Sequence, residues 1–376
     1  MPLYHSSAAI LGFCTTLGIG STIVIGHKFS TKTFWKEVRE SNATIIQYVG
    51  ETCRYLLAAP PQIDPVTGEN LDKKHKVRIA FGNGLRPDIW NRFKERFGIE
   101  TIAEFYAATE GTSGAWNLSS NDFSRGAVGR NGTLASTLLG PQIAIVQLVW
   151  ETEEPWRDAK TGFCQKVPRG DPGELLYKLD PSDISAKFQG YFNNPKASSS
   201  KIMRDVLSKG DAWFRTGDVV RWDKEGRWYF NDRIGDSFRW KSENVSTSEV
   251  SEALGAHPHV HEANVYGVEL PNHDGRAGCA AVMFATGADD ISPALLDGVA
   301  AHAAKSLPKF AVPLFLRVTR EMHATGNNKQ QKHLLRLQGV EPGKVGGDRL
   351  FWLKGGRYVA FGEKEWEELK GGRVRL

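Results

Sequence analysis

The chain has 376 residues, 40% of them hydrophobic and 24% charged, with a net charge of +5. That composition excludes a disordered or low-complexity chain and leaves room for two or three domains with buried cores. The small positive charge would suit an anionic ligand or a membrane surface, but it is spread thinly and no nucleic-acid partner is expected. Cys14, Cys53, Cys164 and Cys279 are too far apart for a metal pair, which points to free thiols in a reducing compartment.

The opening Met1-Pro2-Leu3-Tyr4-His5 lacks the basic start of a secretory signal. Residues 6–26 are uncharged and long enough to span a bilayer, yet diluted by Ser, Thr and Gly. They are expected to form a buried helix that leads through Gly18 and Gly20 into a strand at Thr22–Ile25. Helical spacing over Phe29–Asn42 is followed by a strand at Thr44–Val49 and a short helix at Glu51–Ala59, closed by Pro60-Pro61. A strand at Val77–Phe81, a helix at Arg86–Phe97 with Pro87 in its first turn, and a strand at Thr101–Tyr106 come next. Strands alternating with helices predict a parallel α/β sheet, whose ligands sit at the carboxyl ends of the strands.

Two polar loops fall at such ends, Gly82-Asn83-Gly84-Leu85-Arg86-Pro87 and Tyr106-Ala107-Ala108-Thr109-Glu110-Gly111. The hydroxyl of Thr109 and the hard carboxylate of Glu110 suit a metal-bound phosphate, and equally an ordinary polar loop. Asn117–Pro181 is loop-rich, with short strands at Ile143–Val149 and Glu174–Tyr177 and a solvated acidic turn at Glu151, Glu153 and Glu154. Ala197–Leu207 reads as a surface helix.

The stretch Phe214–Val250 is the most informative. Phe214-Arg215-Thr216-Gly217-Asp218 places a carboxylate after a glycine, at a turn where backbone can approach a ligand. A carboxylate accepts from two neighbouring hydroxyls at once, so Asp218 can clamp a ribose diol. Val219–Trp222 and Arg227–Asn231 form a hairpin around Asp223-Lys224-Glu225-Gly226. Asp232-Arg233-Ile234-Gly235-Asp236 is a polar turn, Phe238–Trp240 a strand, and Ser246 with Glu249 a capping box that opens a helix. Asp218, Asp236, Arg233 and Lys241 thus lie near tight turns, as they would in a solvated hairpin.

Strands are expected at Val260–Val268, Cys279–Ala285 and Leu314–Val318, with a helix at Ser292–Ser306. His257, His259 and His261 would share one face of a strand, without a fourth metal ligand. Lys329 and Lys332 read on their own as solvated charges. The tail from Phe351 is basic and aromatic and ends Val374-Arg375-Leu376, a loose relative of the Ser-Lys-Leu peroxisomal address.

Taken together, Arg215-Thr216-Gly217-Asp218, the hairpin, and the run from Asp232 to Val250 resemble the adenylate-forming acyl-CoA synthetases. Among them the likeness is to the fatty acid transport protein, or very-long-chain acyl-CoA synthetase, branch. It covers nearly the whole chain. It implies an α/β protein: the C-terminal part of the large AMP-binding domain at 1–234, a small α+β C-terminal domain at 235–345 beginning at a hinge on Gly235, and a tail at 346–376.

The resemblance also implies site residues. Asp218 would hold the ribose hydroxyls of ATP, with Arg233 a second nucleotide contact. Gly82, Asn83 and Gly84 resemble the adenine-side loop. Tyr106 to Gly111 resembles YGATEG, with Ala107 for glycine; there Thr109 touches the α-phosphate and Glu110 holds Mg²⁺. Lys241 opens a KGENV-like run beside the pantetheine channel, with Ser242 in place of the glycine. Lys329, with Lys332 as runner-up, matches the lysine that reaches the acyl carboxylate and α-phosphate. His5, in MPLYHS, resembles a residue near the acyl and nucleotide pockets.

The implied activity is ATP-dependent conversion of long- or very-long-chain fatty acids to acyl-CoA through an acyl-adenylate, with Mg²⁺ and CoA, coupled to fatty acid uptake. A membrane association in the peroxisome or endoplasmic reticulum goes with it. The family's Gly/Ser/Thr-rich phosphate loop is not found in the chain, so impaired adenylation is expected. The alternative is a non-catalytic remnant that binds acyl-CoA, lipid or a protein partner.

Overall fold

The computed structural model describes the chain except for residues 151, 242, 274, 323–331 and 375–376. Two compact units divide it: the first is built from residues 1–148 and 155–230, the second from 149–154 and the described chain after residue 230.

The first unit opens its sheet with β1 (Ile45–Val49), β2 (Ile79–Asn83), β3 (Thr101–Ala107) and β4 (Gly114–Ser119), in that spatial order. β1, β2 and β3 are parallel and β4 returns antiparallel to β3. Helix Phe34–Glu40 leads into β1, and helices Gly50–Ala58 and Pro87–Phe97 supply the two crossovers. The last of these shows why: Pro87 stands in the first turn, and Ile89, Trp90, Phe93 and Phe97 recur at helical spacing and are all buried. With Trp35 and Ile102 they form one core, each side chain stabilising the fold by about 1.5–3 kcal/mol.

A second sheet of this unit is antiparallel where its pairings are resolved. Its order is Gly129–Arg130, Arg227–Arg233, Ala212–Trp222, Pro172–Leu179, Ile143–Val146, with Ile202–Arg204 also on Ala212–Trp222. The strand–helix alternation of the sequence therefore stops at Ala107. Arg215–Asp218 does not turn the chain as expected. It is a bulge inside the long strand Ala212–Trp222, where the register against Pro172–Leu179 jumps between Arg215 and Val219. Gly217 takes φ +75° there, and Thr216 closes the bulge by donating to Leu175 O at 2.8 Å and accepting from Asp218 N at 3.0 Å.

Two further expectations are corrected. Residues 197–207 are not one helix: Asn194 caps a short helix, Pro195–Ser200, and the apolar Ile202-Met203 then pair as a strand with Trp213 and Phe214. Residues 6–26 are not a buried helix with a strand. Helical turns run over Ser7–Gly18, only Ser7 and Ala8 are buried, and residues 22–25 pair with no strand among the described residues. Ile10, Leu17, Ile19, Val24 and Ile25 are exposed. Among the described residues no helix is long and apolar enough to cross a membrane.

The second unit carries a five-stranded sheet, in the order Val260–Glu269, Arg276–Phe284, Phe315–Val318, Arg349–Lys354, Arg357–Ala360. Its core joins these strands to helices Thr247–Gly255, Pro293–Ser306, His333–Gln338 and Glu363–Lys370. Ser246 and Ser292 cap the first two by accepting from Glu249 N and Leu295 N. The segment after 345, set apart in the sequence as a tail, supplies two strands and a helix to this unit; Phe351, Trp352 and Tyr358 are buried in its core. His257 and His259 lie in the turn before the strand and do not share a face with His261. Among the described residues no three potential ligands gather for a metal ion.

Candidate active site

The site residues of the first unit stand at the carboxyl ends of β2 and β3. At the end of β2 the chain passes from Gly82 and Asn83 into Gly84, whose φ is +77°. This turn meets the start of the helix Gly50–Ala58 so closely that a Cβ on Gly50 would stand 1.6 Å from Gly84 O. Its other side is held by Glu104, buried in β3, which accepts from Gly84 N at 2.5 Å and Leu85 N at 3.2 Å and from the Tyr48 hydroxyl. Burial pushes the Glu104 carboxyl up to about 8, against the pull of those hydrogen bonds. Asn83 Oδ1 is buried and finds no protein partner among the described residues, an acceptor suited to a ligand's amino group.

At the end of β3 Tyr106 donates its hydroxyl to Asp218 Oδ2 at 2.5 Å, joining the two sheets of the unit. Asp218 is buried in its bulge, and burial followed by its charge raises the phenols of Tyr106 and Tyr177 well above the ordinary range. Both phenols therefore stay protonated at physiological pH. Lys201 donates to Thr216 O at 3.1 Å, which places an ammonium beside the same bulge. Four residues beyond Tyr106, Glu110 accepts from the Tyr191 hydroxyl at 3.0 Å. Thr109 is exposed in the intervening turn, closed by Gly111 N on Ala108 O.

Tyr191 is itself fixed. Its N–H donates to Ser198 Oγ at 2.8 Å, and Phe188, three residues earlier, is buried against Phe214. His5 bonds locally to Ser7 Oγ at 2.7 Å. The structure thus gathers Tyr106, Asp218, Glu110 and Thr109 around one strand end, with the Gly82–Gly84 turn on the neighbouring strand.

Arg233, Lys241 and Asp236 belong to the second unit and were grouped with Asp218 only by their spacing. Asp236 closes the turn through Gly235 by donating its N–H to Arg233 O at 2.9 Å. Its carboxylate pairs with Arg336 at 2.5 Å and Lys332 at 3.3 Å. Lys332 also donates to Thr247 Oγ1, at 2.5 Å, and Asp232 is buried under Thr247, accepting from its N–H at 2.7 Å. The runner-up lysine is therefore committed to an ion pair that pins this turn. Lys241 is exposed, has φ +51°, and sets its ammonium 5.9 Å from the Trp240 ring. Lys329 and Ser242 lie outside the described residues.

Sequence reasoning missed Glu104, Tyr191 and Lys201. Only Glu104 left a local signal: an acidic residue inside the apolar run Thr101-Ile102-Ala103-Glu104-Phe105 has to be satisfied in the core.

Residues 1–182 match the family described as AMP-binding enzyme, and residues 249–329 the family described as AMP-binding enzyme C-terminal domain. The chain belongs to the AMP-binding enzyme family. Its fold is similar to that of ATP-bound MatB from Rhodopseudomonas palustris, with a TM-score of 0.67 over 90% of this chain and 58% of that one, at 24% identity. In sequence it is 42% identical to the very long-chain fatty acid transport protein of Saccharomyces cerevisiae, over 100% of this chain and 56% of that protein. It is likewise 42% identical to isopenicillin N epimerase component 1 of Hapsidospora chrysogena, over 99% of this chain and 61% of that protein. The chain thus spans 56% to 61% of the length of these two relatives.

Proposed function

We propose that the protein activates long- or very-long-chain fatty acids, joining them to AMP at the expense of ATP and passing the acyl group to CoA. The observation that carries this reading is the Tyr106–Asp218 hydrogen bond. It ties a diol-binding carboxylate to the strand end that presents Thr109 and Glu110. In this reading Asp218 accepts from the ribose hydroxyls, the Gly82–Gly84 turn takes the adenine, and Asn83 Oδ1 accepts from its amino group. Thr109 donates to the α-phosphate. Roles for Arg233 and Lys241 toward nucleotide and CoA, and for Lys329 toward the reacting phosphate, rest on the resemblance of their sequence runs alone.

Glu110 fits Mg²⁺. It is a partly buried hard carboxylate with one oxygen oriented by Tyr191. With no further ligand cluster among the described residues, phosphate oxygens and water would complete the shell. Bound there, the ion supplies charge against the phosphate oxygens. Phosphate placement falls to Thr109 and sugar placement to Asp218. The fatty acid is the proposed partner, taken up at a peroxisomal or endoplasmic reticulum membrane.

The test is calorimetry with AMP and ATP, followed by an assay for fatty-acid-dependent AMP release and acyl-CoA in the presence of Mg²⁺ and CoA. Asp218→Ala is expected to weaken nucleotide binding, and Glu110→Ala to abolish fatty-acid-dependent AMP release. Parent-like affinity in the first and parent-like turnover in the second would sink the reading.

A further inference from the structure

We propose that Glu104 is a positioning residue of the nucleotide site: from inside β3 it holds the Gly84–Leu85 turn in the shape that receives the adenine. This rests on the nucleotide-binding reading above and adds to it a residue outside the loops that reading uses.

The argument starts from cost. A carboxyl in a strand core is expensive to bury, and none of the hydrogen bonds made to it comes from a cation. An apolar side chain there would serve the sheet as well, because the β2–β3 ladder pairs Gly82 with Glu104 through backbone alone. What Glu104 adds is one oxygen, Oε1, shared by two successive backbone N–H groups, of Gly84 and Leu85. Gly84 takes φ +77°, and in this turn its N–H and that of Leu85 converge on the one oxygen. On its other side the turn is stopped by Gly50, where no Cβ would fit. The turn is therefore clamped between a carboxyl and a helix start, and the next residue back is Asn83, whose buried oxygen lacks a protein partner.

The clamp is sensitive to charge. Hydrogen bonds to a carboxylate are stronger than those to its neutral form, and the group is raised to about 8 by burial. Facing it are Tyr48 and Cys53, both raised by burial and by Glu104 itself. Glu51 adds negative charge, compensated by Arg54 at 2.6 Å. At the start of the next helix Arg86 is paired with Asp88 at 2.9 Å. The hold on the turn tightens as pH rises through about 8.

The experiment compares the parent chain with Glu104→Leu and Glu104→Gln by AMP calorimetry between pH 7 and 9 and by amide hydrogen exchange. The Leu variant is expected to lose AMP affinity about tenfold or more and to expose the Gly84 and Leu85 amides to faster exchange. The Gln variant, which keeps an acceptor for both N–H groups, weakens binding less, and it loses the parent's gain in affinity toward pH 9. A folded Leu variant with parent affinity overturns the inference, even where its exchange is faster, and leaves the nucleotide reading standing. Where the Leu variant does not fold, a Gln variant with the parent's pH profile overturns it. A parent chain that binds no AMP overturns the inference and the reading together.

Discussion

At the scale of single residues, chemistry here is set by how burial and hydrogen bonding divide the work. Asp218 is buried with a phenol against it, so its orientation is fixed before a ligand arrives. Asp218→Ala removes the charged acceptor and is expected to weaken AMP binding by about 1.5–3 kcal/mol, and Tyr106→Phe by about 0.5–1.5 kcal/mol, both read by calorimetry. Equal affinity in the Phe variant would show that the phenol orients nothing.

A second residue-scale prediction concerns His257. Burial, then the charges of His302 and His259, hold its pKa below the ordinary histidine value. Between that lowered value and about 6.5 the unfolded chain binds the proton and the folded chain does not. Stability of the second unit therefore rises with pH through that window and is lost as pH falls through it. In urea melts at pH 5 and pH 7.5, His257→Gln should narrow the difference; an unchanged difference removes His257 as its source.

Asp218, Thr109 and Glu110 became candidates through the resemblance that their runs carry; by composition alone each run reads as an ordinary polar turn. Tyr191 and Lys201 did not become candidates, because the atoms they touch lie far along the chain and only folding brings them together.

At the scale of elements, the parallel strands and their crossover helices were read closely, since apolar spacing and turn residues mark them. The differences arise where pairing overrides local signals. Gly217 reads as a turn, but continuous pairing on both sides makes it a bulge. Ile202-Met203-Arg204 continues a helical composition, yet the free edge of Ala212–Phe214 draws it into a strand. The crossing of the β2 turn over the helix Gly50–Ala58 depends on the absence of a side chain at residue 50. Gly50→Ala forces Gly84 O away, and overpacking of this kind costs about 1–3 kcal/mol. It should lower the melting temperature of the first unit and weaken AMP binding together. An Ala variant that melts and binds as the parent does would show that the turn can shift without consequence.

At the scale of the whole molecule, the two units have separate hydrophobic cores. One is built on Trp35, Trp90, Phe93 and Phe97, with further clusters in the second sheet, and the other on the sheet and helices of the second unit. A ligand that binds only the folded state stabilises the unit that holds it, by about 2.7 kcal/mol at a hundred times its Kd. The adenine turn, Tyr106, Asp218 and Glu110 all belong to the first unit. Saturating AMP should therefore raise the melting of the first unit by roughly 5–10 °C, the shift expected for a unit of roughly two hundred residues. Hydrogen exchange assigns the effect: slowing should concentrate in β2, β3 and Ala212–Trp222. The amides of Val260–Glu269 and Arg276–Phe284 should keep their rates, since nothing proposed for AMP lies on those strands. Protection confined to the second unit would place the nucleotide elsewhere and remove Asp218 and the β2 turn from its site.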